Sequence, residues 1–118
     1  MADTTETFEA FLAAARLGDF EGLLRILDPD VKLTVDGPDG VFVVLGATKV
    51  AAGARLGAAG AGGGRAVLVN GLPGFAAWHE DGTPRSVVAF TVVDGRITAI
   101  TAVVAPAKLA LLDLPDPA

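Results

Sequence analysis

The spacing of hydrophobic residues changes near residue 28, and this change constrains the fold more than any other feature of the sequence. Before that point apolar residues recur at intervals of three and four, as on one face of an α-helix, in two groups: Phe8, Phe11, Leu12 and Ala15, then Phe20, Leu23, Leu24 and Leu27. After it, apolar and polar residues alternate from Val31 to Val35, as they do in a half-buried β-strand. The sequence therefore predicts helices first and strands afterwards, which is an α+β arrangement.

Capping residues set the predicted limits of the two helices. Asp3 followed by Glu6 is a capping pair, because the two side chains can satisfy free amide groups of the first turn reciprocally. Asp19 can cap the second helix, and Pro29 disfavours helical backbone at the residue before it. We expect a helical hairpin over residues 4–27.

Most of the remaining chain is predicted to form strands joined by turns. Asp94-Gly95 is the strongest local signal, because both residues tolerate positive φ and a type I′ turn matches the twist of two paired strands. Between Thr48 and Gly64, helix-forming alanines alternate with glycines, so we expect a short helix, capped by Thr48, that frays into a mobile loop. Pro106 begins a short terminal helix. The predicted strands cover residues 31–35, 41–45, 65–70, 75–79, 86–93 and 96–104, and the last four form an antiparallel meander.

Length and composition indicate one domain, residues 1–118, in which the helical hairpin packs on one face of a curved antiparallel sheet. Apolar residues occupy 52% of the 118 positions, which is enough to build a core. The sequence contains no Cys, so it has neither disulfides nor a thiolate nucleophile.

Charge and hydropathy exclude two classes of partner. The net charge of −5 argues against direct binding of nucleic acid, since that requires a basic surface to neutralise phosphates. The N-terminus is acidic, and no apolar run reaches the roughly 18 residues that a membrane span needs. We therefore expect a soluble, cytoplasmic protein with no membrane contact.

Few residues offer catalytic or metal-binding chemistry. Asp36 and His79 form the one acid and base pair worth testing as catalytic residues, although both adjoin glycine turns and also suit turn or surface positions. One His with scattered Asp residues gives no metal-ligand spacing, so we expect no metal. The glycine-rich run 57–64 lacks the Gly-Lys-Ser/Thr of a phosphate loop and any dinucleotide fingerprint. We expect no cofactor.

Aromatic residues on predicted strands supply a candidate ligand pocket. Such residues either line a pocket for a small apolar ligand or belong to an ordinary core. The candidates are Phe42, Phe75, Trp78 and Phe90.

Four segments resemble one known family. They are FLAAARLGDFEGLLRILDPDV at Phe11–Val31, VNGLPG at Val69–Gly74, VAFTVVDGRITAI at Val88–Ile100 and APAKLALLDL at Ala105–Leu114. In this order they resemble the SnoaL-like domain that actinobacterial extracytoplasmic-function sigma factors carry at the C-terminus. The resemblance implies the cone-shaped fold of nuclear transport factor 2-like proteins. Two motifs of the family are altered, since its Asp-Gly-Gly-Gly-Lys is DGPDG at Asp36–Gly40 and its Asn-Pro-Asp-Lys-Leu is APAKL at Ala105–Leu109.

The resemblance implies a regulatory domain, one that senses a ligand or contacts the sigma core to modulate transcription initiation. The polymerase-binding and promoter-binding sigma regions are missing from the sequence, so we expect that the chain does not act as a sigma factor alone.

Two alternative functions stay open. The cone fold also occurs in polyketide cyclases, dehydratases and isomerases, although the sequence has no Tyr to act as an isomerase-type hydrogen-bond donor. The chain also suits a plain dimerisation domain.

The last two predicted strands are apolar on both faces, which predicts association. Val88 and Phe90 lie on one face of their strand, and Val87 and Ala89 lie on the other. Helices can cover only one face of the sheet, and an open apolar face of this size is unusual on a monomer. We expect a homodimer of the isolated domain, or contact with sigma core domains in a longer protein.

Overall fold

The computed structural model describes residues 4–60, 64–69 and 71–112, and these form four helices and six strands. The predicted capping residue Asp3 lies outside the described residues. In chain order the elements are α1 (Thr4–Leu17), α2 (Phe20–Ile26), β1 (Leu27–Gly37), β2 (Gly40–Leu45), α3 (Ala47–Gly60), β3 (Gly64–Val69), β4 (Leu72–Trp78), β5 (Pro84–Val93), β6 (Arg96–Val103) and α4 (Pro106–Leu109).

The predicted helical hairpin is present, and Asp19 caps its second helix as predicted. Gly18 has φ 69°, and the Asp19 carboxylate accepts a hydrogen bond from the Gly22 amide at 3.0 Å. The second helix ends at Ile26, because Leu27 is extended with φ −82° and ψ 136°. The first strand thus begins at Leu27, directly after the helix and four residues before the predicted start.

The six strands form one curved sheet in the order β2-β1-β6-β5-β4-β3. This arrangement confirms the predicted α+β cone fold and corrects one detail of it, because β1 and β6 run parallel while the other neighbouring pairs are antiparallel. The sheet is therefore mixed. Leu33 pairs with Ile100 across that parallel junction. These two strands are far apart in sequence and are not joined by a turn. No local turn motif therefore predicts their pairing.

The glycine-rich middle is more helical than its composition suggests. Helix α3 runs from Ala47 to Gly60, whereas the sequence predicts a short helix capped by Thr48 and a loop up to Gly64. Val50 and Ala51 are fully buried against the rest of the molecule, and this packing compensates for the poor helix propensity of glycine. Residues 61–63 lie outside the described residues.

Helices α1, α2 and α3 pack on one face of the sheet, which we call the inner face. Strand register places one row of side chains across it, and the row consists of Phe42, Val35, Ala102, Val88 and Phe75. The main hydrophobic core lies between this face and the helices and includes Phe8, Phe11, Leu23 and Phe90.

The opposite, outer face of the sheet is covered only in part. Helix α4 places Leu109 against Ala76 and Val87, which form a second, smaller buried cluster. On β2 at the edge of the sheet, Val41 and Leu45 remain exposed on this outer face, with 59% and 63% of their surface accessible. Among the described helices none is long and apolar enough to cross a membrane.

Candidate functional site: an apolar cavity beneath the first helix

A cavity of about 280 Å³ lies between the inner face of the sheet and helices α1 and α3. This volume is about twice the roughly 150 Å³ of an engineered cavity that binds benzene. Its described lining consists of Phe11, Leu12, Ala15, Arg16, Leu33, Val50, Gly53, Phe75, Ser86, Val88, Phe90, Ile100 and Ala102.

Strand register builds the floor of the cavity from two adjacent rows of the inner face. One row contributes Ala102, Val88 and Phe75, and the next contributes residues of β1, β6 and β5. The Phe90 ring is fixed between two aromatic side chains of α1, with ring centroids 5.1 Å from Phe8 and 5.0 Å from Phe11. Such tilted contacts restrict the rings, so the cavity wall is largely preformed.

Two polar side chains occur in the described lining, those of Arg16 and Ser86. The guanidinium carbon of Arg16 lies 5.8 Å from the centroid of the Phe75 ring, within the range of a cation–π contact. No Asp, Glu, His or Tyr is found among the described lining residues. The cavity is therefore suited to holding an apolar molecule and offers no side-chain general base there.

Apart from Phe75 and Phe90, the lining residues were not predicted from the sequence, and Arg16 is the charged one among them, which the helical stripe pattern assigns to solvent. It is exposed, and it also lies four positions after Leu12 on the same side of α1. The i, i+4 relation to a stripe residue is the signal that identifies it as a rim residue.

The four predicted pocket aromatics divide into two groups. Phe75 and Phe90 line the cavity. Trp78 packs in the outer cluster beside Val87, because alternation along β4 turns it away from Phe75. Phe42 belongs to the inner row but lies on the edge strand β2, where 57% of its surface is exposed.

The two catalytic candidates lie outside the cavity lining and form structural contacts. Lys108 Nζ of α4 donates to Asp36 Oδ2 at 2.5 Å, and the Asp36 carbonyl accepts hydrogen bonds from the amides of Val104 and Ala105. His79 is exposed at the end of β4, and its amide donates to the Thr83 carbonyl at 2.8 Å. Asp36 thus anchors the chain that leads into α4, and His79 closes a turn.

One carboxyl group near His79 has a shifted pKa. The Thr83 hydroxyl and amide donate to Asp81 Oδ1 at 2.6 and 2.9 Å, and these hydrogen bonds lower the pKa of the Asp81 carboxyl. The interaction fixes the turn before β5. Within the described ranges no three residues of the types His, Cys, Asp or Glu come together as a metal site requires.

Comparison with solved structures relates this architecture to known proteins. The extracytoplasmic-function sigma factor SigJ of Mycobacterium tuberculosis superimposes on 93% of this chain with a TM-score of 0.72 and 27% sequence identity. A nuclear transport factor 2-like protein of Burkholderia xenovorans matches 92% of the chain and 94% of its own length, with a TM-score of 0.59 and 22% identity. The chain has the nuclear transport factor 2-like fold.

The same cone is found as part of a longer protein and as a chain of similar length. This chain spans about 45% of the SigJ chain. A de novo designed protein with a curved β-sheet also matches, with a TM-score of 0.64 and 21% identity over 94% of this chain and 93% of the design. No protein-family model matches the sequence, and a search of curated proteins finds no significant similarity. The resemblance to an extracytoplasmic-function sigma factor is nevertheless confirmed by the structural match.

The fold brings together the two segments in which the sequence departs from the motifs of the family that it resembles. Asp36 opens the DGPDG segment, and Lys108 belongs to the APAKL segment. Their ion pair joins the two segments on the outer side of the sheet, away from the cavity.

Proposed function

We propose that this chain is a regulatory domain that binds a small apolar ligand and modulates transcription initiation through contacts with sigma core regions. The single observation that carries the ligand-binding part is the cavity, whose described lining is apolar apart from Arg16 and Ser86. An enzyme role has less support, because neither Asp36 nor His79 belongs to that lining.

Similarity to SigJ supports the second part of the proposal. This chain corresponds to somewhat less than half of that sigma factor, so more of SigJ lies outside the matched region. A domain in this position is able to contact the polymerase-binding and promoter-binding regions. Its place of action is then the cytoplasm, where transcription is initiated.

Ligand binding is tested with 1-octanol, a neutral probe of a size that suits the cavity. We expect it to shift the methyl NMR signals of Leu12, Leu33 and Val88, all of which line the cavity. Ala102→Leu places a larger side chain in the cavity and is expected to abolish these shifts. Ala99→Leu, on the outer face of the same strand, is the matched control and is expected to keep them. Absence of shifts in the wild-type protein contradicts the ligand-binding proposal.

Contact with the sigma core is tested separately. Fluorescence anisotropy of labelled core regions from an extracytoplasmic-function sigma factor is measured as this chain is added. We expect saturable binding whose affinity changes when 1-octanol is present. Failure to bind at tens of micromolar contradicts the role in transcription and leaves ligand binding intact.

Homodimerisation is a second candidate function, and the open part of the outer face favours it. Val41, Val43 and Leu45 of β2 point outward and are each exposed by about half or more. The strand Gly40–Leu45 contains no charged residue and no proline to protect its free edge. We propose that a second copy of this chain covers this face, related by a two-fold axis that makes the same patch self-complementary.

A test of this interface needs a residue on the outer face. Val43 points outward and is therefore the test position, whereas Val88 and Ile100 lie on the inner face in the lining of the cavity. We expect a dimer by sedimentation equilibrium at micromolar concentration, converted to monomer by Val43→Glu. Leu68→Glu, an equally drastic change at the exposed opposite edge strand, is expected to stay dimeric. A wild-type monomer at all concentrations contradicts this interface.

A further inference from the structure

The cavity contains a positive charge in an otherwise acidic protein. The chain has a net charge of −5, yet Arg16 is the one charged residue in the described lining. A guanidinium at the rim of an apolar cavity attracts an anion and repels a cation, and no described lining residue offsets it with a carboxylate.

The Arg16 guanidinium lies near the Phe75 ring and can still bind an anion. Its carbon lies 5.8 Å from the centroid of the Phe75 ring, which limits where the side chain can point. In the described part of the chain the one ion pair joins Lys108 to Asp36, so Arg16 is not committed to a carboxylate there. A guanidinium has five N–H donors, so Arg16 can donate to an incoming anion while it contacts the ring.

The second polar side chain lies near the same end of the cavity. Phe75 pairs with Val88, and Ala77 pairs with Ser86, so Ser86 and Phe75 are diagonal neighbours on the inner face. Diagonal neighbours in a sheet are within about 7–8 Å of each other. Arg16 above Phe75 and Ser86 beside it therefore place both polar groups at one end, while the other end is formed by apolar residues such as Val50 and Ile100.

We propose that the ligand is a small apolar monocarboxylate whose hydrocarbon part fills the cavity and whose carboxylate meets Arg16 and Ser86. This inference rests on the proposed ligand-binding function and specifies its ligand class. The Arg16 fork can donate two parallel hydrogen bonds to a carboxylate, and the Ser86 hydroxyl can donate a third. A volume of about 280 Å³ suits a hydrocarbon of about eight carbons, given that about 150 Å³ holds benzene.

The expected contribution of Arg16 is limited by its exposure to solvent. An exposed ion pair adds less affinity than a shielded one, because water and salt screen the two charges. Arg16 is exposed, so we expect the carboxylate to gain about 2- to 5-fold in affinity over a neutral molecule of the same length.

The experiment compares three probes with the same eight-carbon chain: octanoate, 1-octanol and octylammonium. Dissociation constants are measured by calorimetry, and methyl NMR locates each probe. We expect octanoate to bind more tightly than 1-octanol by the factor given above, and octylammonium to bind more weakly than both. Arg16→Gln is expected to bring octanoate to the affinity of 1-octanol without changing 1-octanol itself. Arg16→Lys, which keeps the charge and loses the fork, is expected to retain part of the preference.

Arg25→Gln is the matched control, because it removes one exposed arginine from α2 outside the lining. It is expected to leave the preference for octanoate unchanged. Equal binding of octanoate and 1-octanol to the wild-type protein, or an unchanged preference in Arg16→Gln, overturns the carboxylate inference while ligand binding stands. If none of the three probes shifts the cavity signals, the ligand-binding function itself fails.

Discussion

At the scale of single residues, the hairpin between β5 and β6 shows the closest agreement between sequence and structure. Asp94 has φ 52° and Gly95 has φ 77°, so both central residues adopt the left-handed backbone of the predicted turn. Val93 pairs with Arg96 directly across it. The turn sets this pairing, and an irregularity between Thr91 and Val92 adds one residue to β6 before the two strands reach Val88 and Ala102 of the cavity floor.

Gly95→Val tests this turn. A β-branched residue resists positive φ, so we expect the free energy of unfolding to fall by about 1–2 kcal/mol. Asn tolerates this backbone, and Gly95→Asn is expected to lose clearly less. Chemical denaturation measures both. Equal stability of the Val variant and the wild-type protein contradicts the turn.

The Asp81–Thr83 turn gives a prediction about pH. Thr83→Val removes the hydroxyl that is the main cause of the lowered pKa of Asp81, so the pKa is expected to rise toward the ordinary value of about 3.9. Because the folded pKa is depressed, its stabilising effect is present above the ordinary pKa and is lost as pH falls through the lowered value. Carboxyl NMR titration measures this shift. Thr98→Val, which removes a hydroxyl that donates to the Thr91 carbonyl, is expected to leave the pKa of Asp81 unchanged.

At the scale of elements, α4 is a four-residue helix that other elements hold in place. A helix this short is not stable by itself. Leu109 is 2% exposed in the outer cluster. The Asp36 carbonyl accepts hydrogen bonds from the amides that precede α4, and the Asp36 carboxylate pairs with Lys108. The exposed ion pair contributes less than about 1 kcal/mol, so burial of Leu109 is the larger contribution.

Leu109→Ala is therefore expected to detach α4. We expect a loss of about 2–3 kcal/mol in the free energy of unfolding, together with faster amide hydrogen exchange near the C-terminal end of the described chain. Leu111 is 85% exposed, and Leu111→Ala is expected to change the free energy of unfolding by less than about 0.5 kcal/mol. Similar losses in the two variants contradict this account of α4.

Local patterns predicted the elements well and their assembly only in part. The stripes from Phe8 to Leu27 and the Asp94-Gly95 turn act between near neighbours, which is why both are readable from sequence. The parallel pairing of β1 with β6 depends on contacts between distant segments. The length of α3 likewise depends on the burial of Val50 and Ala51, which outweighs local propensity.

At the scale of the whole molecule, the cavity is a space that larger side chains in the core are able to fill. Ala102 lies in its floor, and Gly53 contributes no side chain to its wall. The aromatic content of the sequence predicted a pocket, but only the folded sheet separates Phe75 and Phe90 from Trp78 and Phe42. Arg16 escaped prediction because a rim position is defined by the cavity rather than by the helix.

Filling the cavity is expected to stabilise the protein. Ala102→Leu adds apolar contacts in existing space, so we expect the free energy of unfolding to rise by about 0.5–2 kcal/mol. Ala99→Leu adds the same atoms on the outer face of β6 and is expected to give no comparable gain. Thermal unfolding compares the two. A destabilised Ala102→Leu variant contradicts the presence of usable space beside Ala102.

The parallel junction of β1 with β6 also sets the order in which this chain can fold during synthesis. The β1–β2 hairpin is complete once Leu45 has left the ribosome, but β1 must wait for β6 before its second edge is paired. At a synthesis rate of about 5–20 residues per second, that edge stays unpaired for several seconds. Strand β1 is thus made early, but one of its edges stays unpaired until β6 has been made. The nascent chain is most prone to aggregate in this interval.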